Sequence, residues 1–332
     1  MSQHSVNVVR LGNIAPHPNA DTLDTTTVNG FTCVIRRGDF QPGDLALYIE
    51  PDYVVPLDNP LFTFLRPENH PERIVQRIGV KRLRGIYSMG LLLPAPAGAQ
   101  EGDDLMEALG ITRYEPPEQT DANTGGATEA PPYRQVIPTY DLENLRKWQA
   151  KVEGHQVIIT EKVHGTNARY VWSSAYERMF CGSRREWKKE DATNLWWRAL
   201  AQNPWIAEWC QKHPDVILWG EVYGWVQDLR YGAKPGEFFF RVFDIYTVDS
   251  ATFWLPGMAQ SIFGARAMPI VYQGIYPGFA AVEQMADADS ALAKHIREGV
   301  VIEVTDMPNE WDTDLQAWRI KLKLPGNKYL SR

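Results

Sequence analysis

The chain predicts an α+β protein in two parts, a small β-barrel or sandwich and then a larger domain of antiparallel sheets flanked by helices. Three observations carry this expectation. Short alternating segments split by Pro, Gly, Asn and Asp turns fill residues 1–114. Residues 115–139 are rich in Pro, Thr, Gly and acids, the composition of a linker or mobile loop. From 140 to 332, strand-like runs surround a few helical stretches.

In the first part, VNVVRLGNI, FTCVIRRG, DLALYIEP and MGLLLPA are the strand candidates. The stretch IAPHPNADTLDTTTVNG resembles the opening of OB folds that bind tRNA in synthetase-associated domains. That likeness implies an OB-like β-barrel that takes nucleic acid on its face and loops. A basic run, ERIVQRIGVKRLRG, adds Arg73, Arg77, Lys81, Arg82 and Arg84. A second run, SRREWKK, holds Arg184, Arg185, Lys188 and Lys189. Either run is a solvated charged face unless the chain handles phosphates.

In the second part, YDLENLRKWQAKVEG predicts a short helix begun by Asp141, with Leu142, Leu145 and Trp148 on one face. Strands follow at HQVIITEK, ARYVWS, RMFCGS, VILWGEVYG, EFFFRVFDIY, GVVIEVTD and AWRIKLKL, with helices near 193–213, 251–264 and 281–297. Trp196, Trp197, Trp205 and Trp209 recur at helical spacing, which favours core packing over base stacking.

Composition narrows the class. The formal net charge of −7 argues against a protein that coats nucleic acid nonspecifically. Cys33, Cys181 and Cys210 are far apart and form no CxxC, so neither a disulfide framework nor a zinc site is expected, which fits a reducing cytosol. MSQHSVNVVR lacks an apolar leader core and no apolar run is long enough to span a bilayer, so a cytoplasmic protein without a membrane partner is expected. There is no internal repeat and no Walker-type glycine loop.

Chemistry concentrates in the second part. Lys162 follows a β-like run and precedes a glycine-bearing turn in EKVHGTN, a setting that suits a covalent nucleotide site. An amine attacks phosphorus only when neutral, so such a lysine needs desolvation or nearby cations. Downstream come GSRR, WGEVYG, FRVFDIY, REGVVIE and RIKLKL, each placing one or two polar residues among apolar ones. This set suits nucleotidyl transfer through a lysine–nucleoside monophosphate adduct. Lys321 and Lys323 alternate on one strand, either to hold phosphates or as the wet face of an edge strand. Glu221 and Glu298 are the carboxylates for magnesium. Phe243 stacks on a base or fills the core, and His164 is catalytic or a satisfied histidine.

Taken in order, these blocks resemble the covalent nucleotidyltransferase superfamily of ATP-dependent ligases and mRNA capping enzymes. EKVHGTN looks like its nucleophile motif, WGEVYG its third, VFDIY the adjoining aromatic motif, EGVVIE its fourth and IKLKL its fifth. The likeness is closest to RNA ligases, where HGTN is usual after the lysine; DNA ligases typically carry an aspartate and an arginine at the positions of His164 and Asn167. The sequence ends soon after IKLKL, so the C-terminal OB domain of DNA ligases and capping enzymes is not expected. VKRLRGIYSMGLLLP instead resembles a small bacterial and protist group of RNA ligases with an N-terminal OB domain.

The resemblance implies a ligase-type adenylyltransferase domain at 140–332, with ATP and Mg²⁺ or Mn²⁺ as cofactors. Lys162 would become adenylylated, Glu161 would contact adenine, and His164, Gly165 and Asn167 would line the nucleotide pocket. Arg184 would meet the ribose or the reacting phosphate, with Arg185 the other choice because the register of GSRR is open. Glu221 would bind ribose or metal, Phe243 would stack on adenine, Glu298 would orient the hydrated metal, and Lys321 and Lys323 would grip phosphates. Glu303 stands where many members place a basic residue, so that contact is missing or passes to Arg319 or the second basic run. The expected partner is RNA or an RNA-containing nicked duplex held by Lys81, Arg82, Arg84 and Arg185, with the protein acting as a monomer. A noncatalytic OB-type RNA-binding protein and a capping-type guanylyltransferase are the rival expectations.

Overall fold

The computed structural model describes residues 5–114, 128–134, 137–138, 140–307, 312–315, 317 and 319–332. The chain divides into two compact units, Gln3–Pro116 with Leu330–Arg332, and Pro117–Tyr329 with Met1–Ser2. Of the linker reading at 115–139, residues 115–127, 135–136 and 139 lie outside the described residues.

In the smaller unit, alternation produces short antiparallel strands, as expected. Leu45–Ile49 lies between Val8–Arg10 and Leu91–Pro94, and Leu23–Val28 lies between Ile14–Pro16 and Phe31–Arg36. Among the described residues these ladders do not join into one closed barrel. Two apolar clusters fill the unit, one around Phe31, Ala46 and Tyr48, the other around Leu47, Val55 and Phe62.

The hairpin Val80–Leu83/Ile86–Met89 turns through Arg84 and Gly85, both left-handed at φ +46° and +97°. That pair makes the two-residue turn whose twist suits a hairpin. It is braced from outside by the Asn19 amide, which donates to the Arg84 carbonyl at 3.1 Å.

Among the described residues the larger unit holds two sheets. In the first, Gln156–Lys162 lies between Ile270–Ile275 and Gly299–Val304, and Lys321–Pro325 follows on the far side of Gly299–Val304. In the second, Thr166–Ser173, Val216–Gly224 and Phe238–Thr247 are neighbours, and Arg178–Gly182 pairs with Thr166–Ser173. The helices Leu195–Gln202 and Trp205–Lys212 cover one face of that second sheet. Trp196 is buried in that core and Trp197, Trp205 and Trp209 pack against it, so the tryptophans are core, not a stacking platform.

Three helix expectations need correction. Residues 141–154 form the two-residue strand Glu143–Asn144, parallel to Leu322–Lys323, and the single turn Gln149–Lys151. The Asp141 and Asn144 side chains accept from nearby backbone N–H groups of Leu142 and Arg146, which competes with helix. Of 251–264 only Met258–Phe263 is α-helical, because Pro256 and left-handed Gly257 interrupt the run. The helix expected at 281–297 spans Phe279–Ala286 and stops there, since Ser290 and Ala291 bond to Glu161 instead.

Candidate active site

Strand pairing builds the centre of the site. Lys162 ends its strand opposite Gly299, so Glu298, one residue earlier, comes within reach of the lysine. The Lys162 Nζ donates to Glu298 Oε1 at 2.6 Å. The other carboxylate oxygen lies 3.3 Å from His164 Nδ1. Burial pushes the Glu298 carboxyl up, but Lys162 and His164 more than offset this and hold it down at about 2.

Asn167 and Glu221 sit opposite each other on adjacent strands of the second sheet. Burial drives the Glu221 carboxyl up to about 8; Lys162 opposes this and Glu298 adds to it. Glu221 therefore keeps its proton at neutral pH. The Asn167 Oδ1 is buried with no partner among the described residues, a cost that a ligand donor would remove.

Gly165 is required by the strand beside it. A Cβ there would lie 2.1 Å from the Val222 carbonyl oxygen, so only glycine lets this turn cross the neighbouring strand. The turn is also held from the loop after Val216–Gly224. The Tyr231 hydroxyl accepts from the His164 N–H at 2.7 Å, and the Gln227 amide donates to the Gly165 carbonyl.

Arg184, not Arg185, faces this centre. Its guanidinium lies 3.6 Å from Asp141 and helps lower Glu221, whereas Arg185 is exposed. Lys323 approaches the same Asp141 at 3.8 Å. Asp141 is thus a charge partner of two site cations and not a helix cap.

Lys321 is no wet edge residue, because its strand lies between Glu143–Asn144 and Gly299–Val304. Its Nζ donates to Asp244 at 3.0 Å and to the Phe243 carbonyl at 3.2 Å. Burial lowers the Lys321 ammonium to about 8, with Asp244 opposing and Arg319 adding to the effect. Arg319 bridges Asp244, at 2.7 Å, and Glu303. Burial alone would raise Asp244, but Arg319 and Lys321 hold it below the usual range. The acidic Glu303 therefore answers Arg319 inside a buried four-charge network, so neither residue stands free to meet phosphate.

Phe243 is half-buried, with Tyr140 packed on it at a ring-centroid distance of 4.7 Å. Glu161 is buried, and both of its oxygens are taken, by the Ser290 hydroxyl at 2.5 Å and the Ala291 N–H at 2.7 Å. In the smaller unit Lys81, Arg82 and Arg84 lie on their hairpin, all three exposed, while Arg77 pairs with Asp52 and lies 3.9 Å from the Tyr114 ring centroid. The second basic run is divided: Lys188 is buried beside Glu186 and the Trp196 ring, while Arg185 and Lys189 are exposed.

Sequence reasoning missed Asp228, Tyr231 and Tyr329, which meet at His164. It also missed Asp244. An isolated carboxylate within the apolar run EFFFRVFDIY is the same signal that singled out Glu221, and could have found it.

A family model described as RNA ligase matches residues 155–323, and an OB-fold domain model matches residues 5–95. No curated protein matches the sequence. Among solved structures the chain is similar to the RNA ligase of Naegleria gruberi. A ligand-free mutant of that enzyme is 27% identical, with 98% of this chain and 97% of that one covered, at a TM-score of 0.80. A mutant with AMP and manganese is 26% identical over 98% and 99%, also at 0.80. A mutant with ATP and manganese is 26% identical over 99% and 100%, at 0.79.

Proposed function

As this chain belongs to the RNA ligase family, we propose that it seals 3′-hydroxyl/5′-phosphate breaks with ATP through a lysyl-AMP intermediate on Lys162. The observation that carries this reading is the convergence on Lys162: Glu298 on its amine, and Glu221 within electrostatic reach of both. The Naegleria enzyme, solved with ATP or AMP and manganese, supports ATP and a divalent ion as cofactors.

The residues present fit such an ion. Glu221, pushed up to about 8 by burial and further by Glu298, holds its proton while no cation is bound and would release it on ligating one. Among the described residues no three or more His, Cys, Asp and Glu side chains converge into a metal cage. Two carboxylates, with water and substrate phosphates completing the shell, suit Mg²⁺ or Mn²⁺. Bound there, the ion would stabilise charge on the reacting phosphate.

The chain's own residues divide the remaining work. Glu298 orients the Lys162 amine, which, once its proton has passed to solvent, attacks the α-phosphorus in line while pyrophosphate leaves. The orphan Asn167 Oδ1 accepts from the nucleotide, and Phe243 packs on the base. Lys323 and Arg184 offer phosphate-facing charge, with Lys321 contributing from its buried pair with Asp244. The AMP then moves to a 5′-phosphate end, and a 3′-hydroxyl displaces it. Nicks in RNA-containing duplexes are the proposed substrate, held by Lys81, Arg82 and Arg84 on the smaller unit. The protein acts as a monomer in the cytoplasm, where its three buried free cysteines suit a reducing environment.

Incubation with α-labelled ATP and magnesium should give a label that survives denaturation and is absent in Lys162→Ala. No label on the wild-type chain, or equal labelling of the variant, would sink the proposal.

A further inference from the structure

We propose that Asp228, acting through His164, is a positioning residue for the attack by Lys162, an inference that rests on the reading above. His164 is buried, its side chain 7% exposed, and both ring nitrogens are engaged. Asp228 Oδ1 lies 2.9 Å from Nε2. Glu298 Oε2 and the Tyr329 hydroxyl lie 3.3 and 3.1 Å from Nδ1. Tyr329 also packs edge-on to the imidazole at 5.3 Å.

Carboxylates can only accept, so a ring N–H faces each of them, Nε2–H toward Asp228 and Nδ1–H toward Glu298. This orientation turns Nδ1 toward Glu298 and holds one of its oxygens, leaving the other oxygen for the lysine amine. The relay thus runs from Asp228 through the imidazole and Glu298 to Lys162. Turning the imidazole would break contacts at both ends.

Asp228 itself is well placed to act as the fixed end. The Leu229 N–H donates to the same Oδ1 at 3.1 Å, and Leu229 and Tyr231 are buried with Val163, Tyr223 and Met268. The loop is therefore anchored beside the aspartate. Gln227 and Tyr231 grip the 164–165 backbone from the same loop, so three of its residues converge on one turn. The Asp228 side chain remains 63% exposed, so its removal leaves no deep cavity. Its expected effect is on the aim of the amine more than on folding.

The test is single-turnover lysyl-AMP formation by the full chain, with α-labelled ATP and magnesium, for wild type, Asp228→Asn, Asp228→Ala and Asp228→Glu. The Asn and Ala variants should lose about tenfold or more in rate constant at saturating ATP. The half-saturating ATP concentration and the melting temperature should not move, and Asp228→Glu should recover most of the rate. A wild-type rate for Asp228→Asn overturns the proposal. So does a loss confined to half-saturation, or one that follows a lowered melting temperature and is not rescued by Glu. An unlabelled wild-type chain defeats the ligase reading itself; a labelled wild type with unaffected Asp228 variants defeats only this inference.

Discussion

The Lys162 Nζ and the Glu298 Oε1 meet at 2.6 Å although the residues are 136 positions apart in the chain. The pairing of Gln156–Lys162 with Gly299–Val304 brings them together, and it also carries Glu298 to within 3.3 Å of His164. One carboxylate thus touches two residues of the EKVHGTN turn.

Replacing Glu298 with Ala should slow lysyl-AMP formation by about 10²-fold or more, the scale for removing a preorganised charge at a reacting centre. Quench-flow labelling at saturating ATP measures it. A loss below about threefold would mean that the amine is aligned without this carboxylate.

Gly165→Ala should destabilise the protein by about 2 kcal/mol or more, because the added Cβ would meet the Val222 carbonyl oxygen at 2.1 Å. Urea unfolding of both proteins at one pH checks this. Equal midpoints and slopes would show that the turn shifts aside without strain.

Glu221 gives a pH dependence with a definite sign. Its folded-state carboxyl is raised from 4.5 to about 8, so between these values the folded protein binds the proton that the unfolded chain has released. Its contribution to stability is therefore full below about 4.5 and is lost as pH rises through 8. Without added metal, Glu221→Gln should gain on wild type in melting temperature between about pH 5 and about pH 9. A difference that stays constant across that range would count against the shift.

Asp244→Ala should cost about 3–5 kcal/mol, since it leaves Arg319 and Lys321 with one carboxylate fewer in a buried setting. Arg319 and Lys321 side chains are 8% and 9% exposed, so water cannot cheaply take the place of the missing carboxylate. Denaturant unfolding decides it; a change under about 1 kcal/mol would show the network to be loosely coupled.

The triple replacement of Lys81, Arg82 and Arg84 by Ala should leave lysyl-AMP formation intact. RNA binding should weaken, and the slope of log affinity against log salt should fall by about one for each phosphate that these cations neutralise in the wild type. Fluorescence anisotropy at several salt concentrations reads this out. An unchanged slope would remove the hairpin from the RNA-binding surface.

Much of the architecture was legible because strand periodicity is local. The runs from HQVIITEK to VILWGEVYG and EFFFRVFDIY became strands near their expected places, and the tryptophans went into the core. Helix ends were less legible: Asp141 and Asn144 offered the backbone side-chain partners, and the resulting turn is settled by its pairing with Leu322–Lys323. The Arg184/Arg185 choice was likewise open in GSRR, since two adjacent arginines on a loop have no fixed facing until the strand before them is paired.

By itself the sequence determined the two-part α+β plan, Lys162 as the candidate nucleophile and Glu221, Glu298, Lys321 and Lys323 as its charged company. Only the tertiary structure decided which charges meet. It put Glu298 on Lys162, Asp244 on Lys321, Glu303 on Arg319 and Asp228 on His164. Backbone periodicity is set by neighbours a few residues apart and can be read along the chain. Charge pairing falls off within a few ångströms and depends on strands and loops far apart in sequence, so it exists only once the chain has folded.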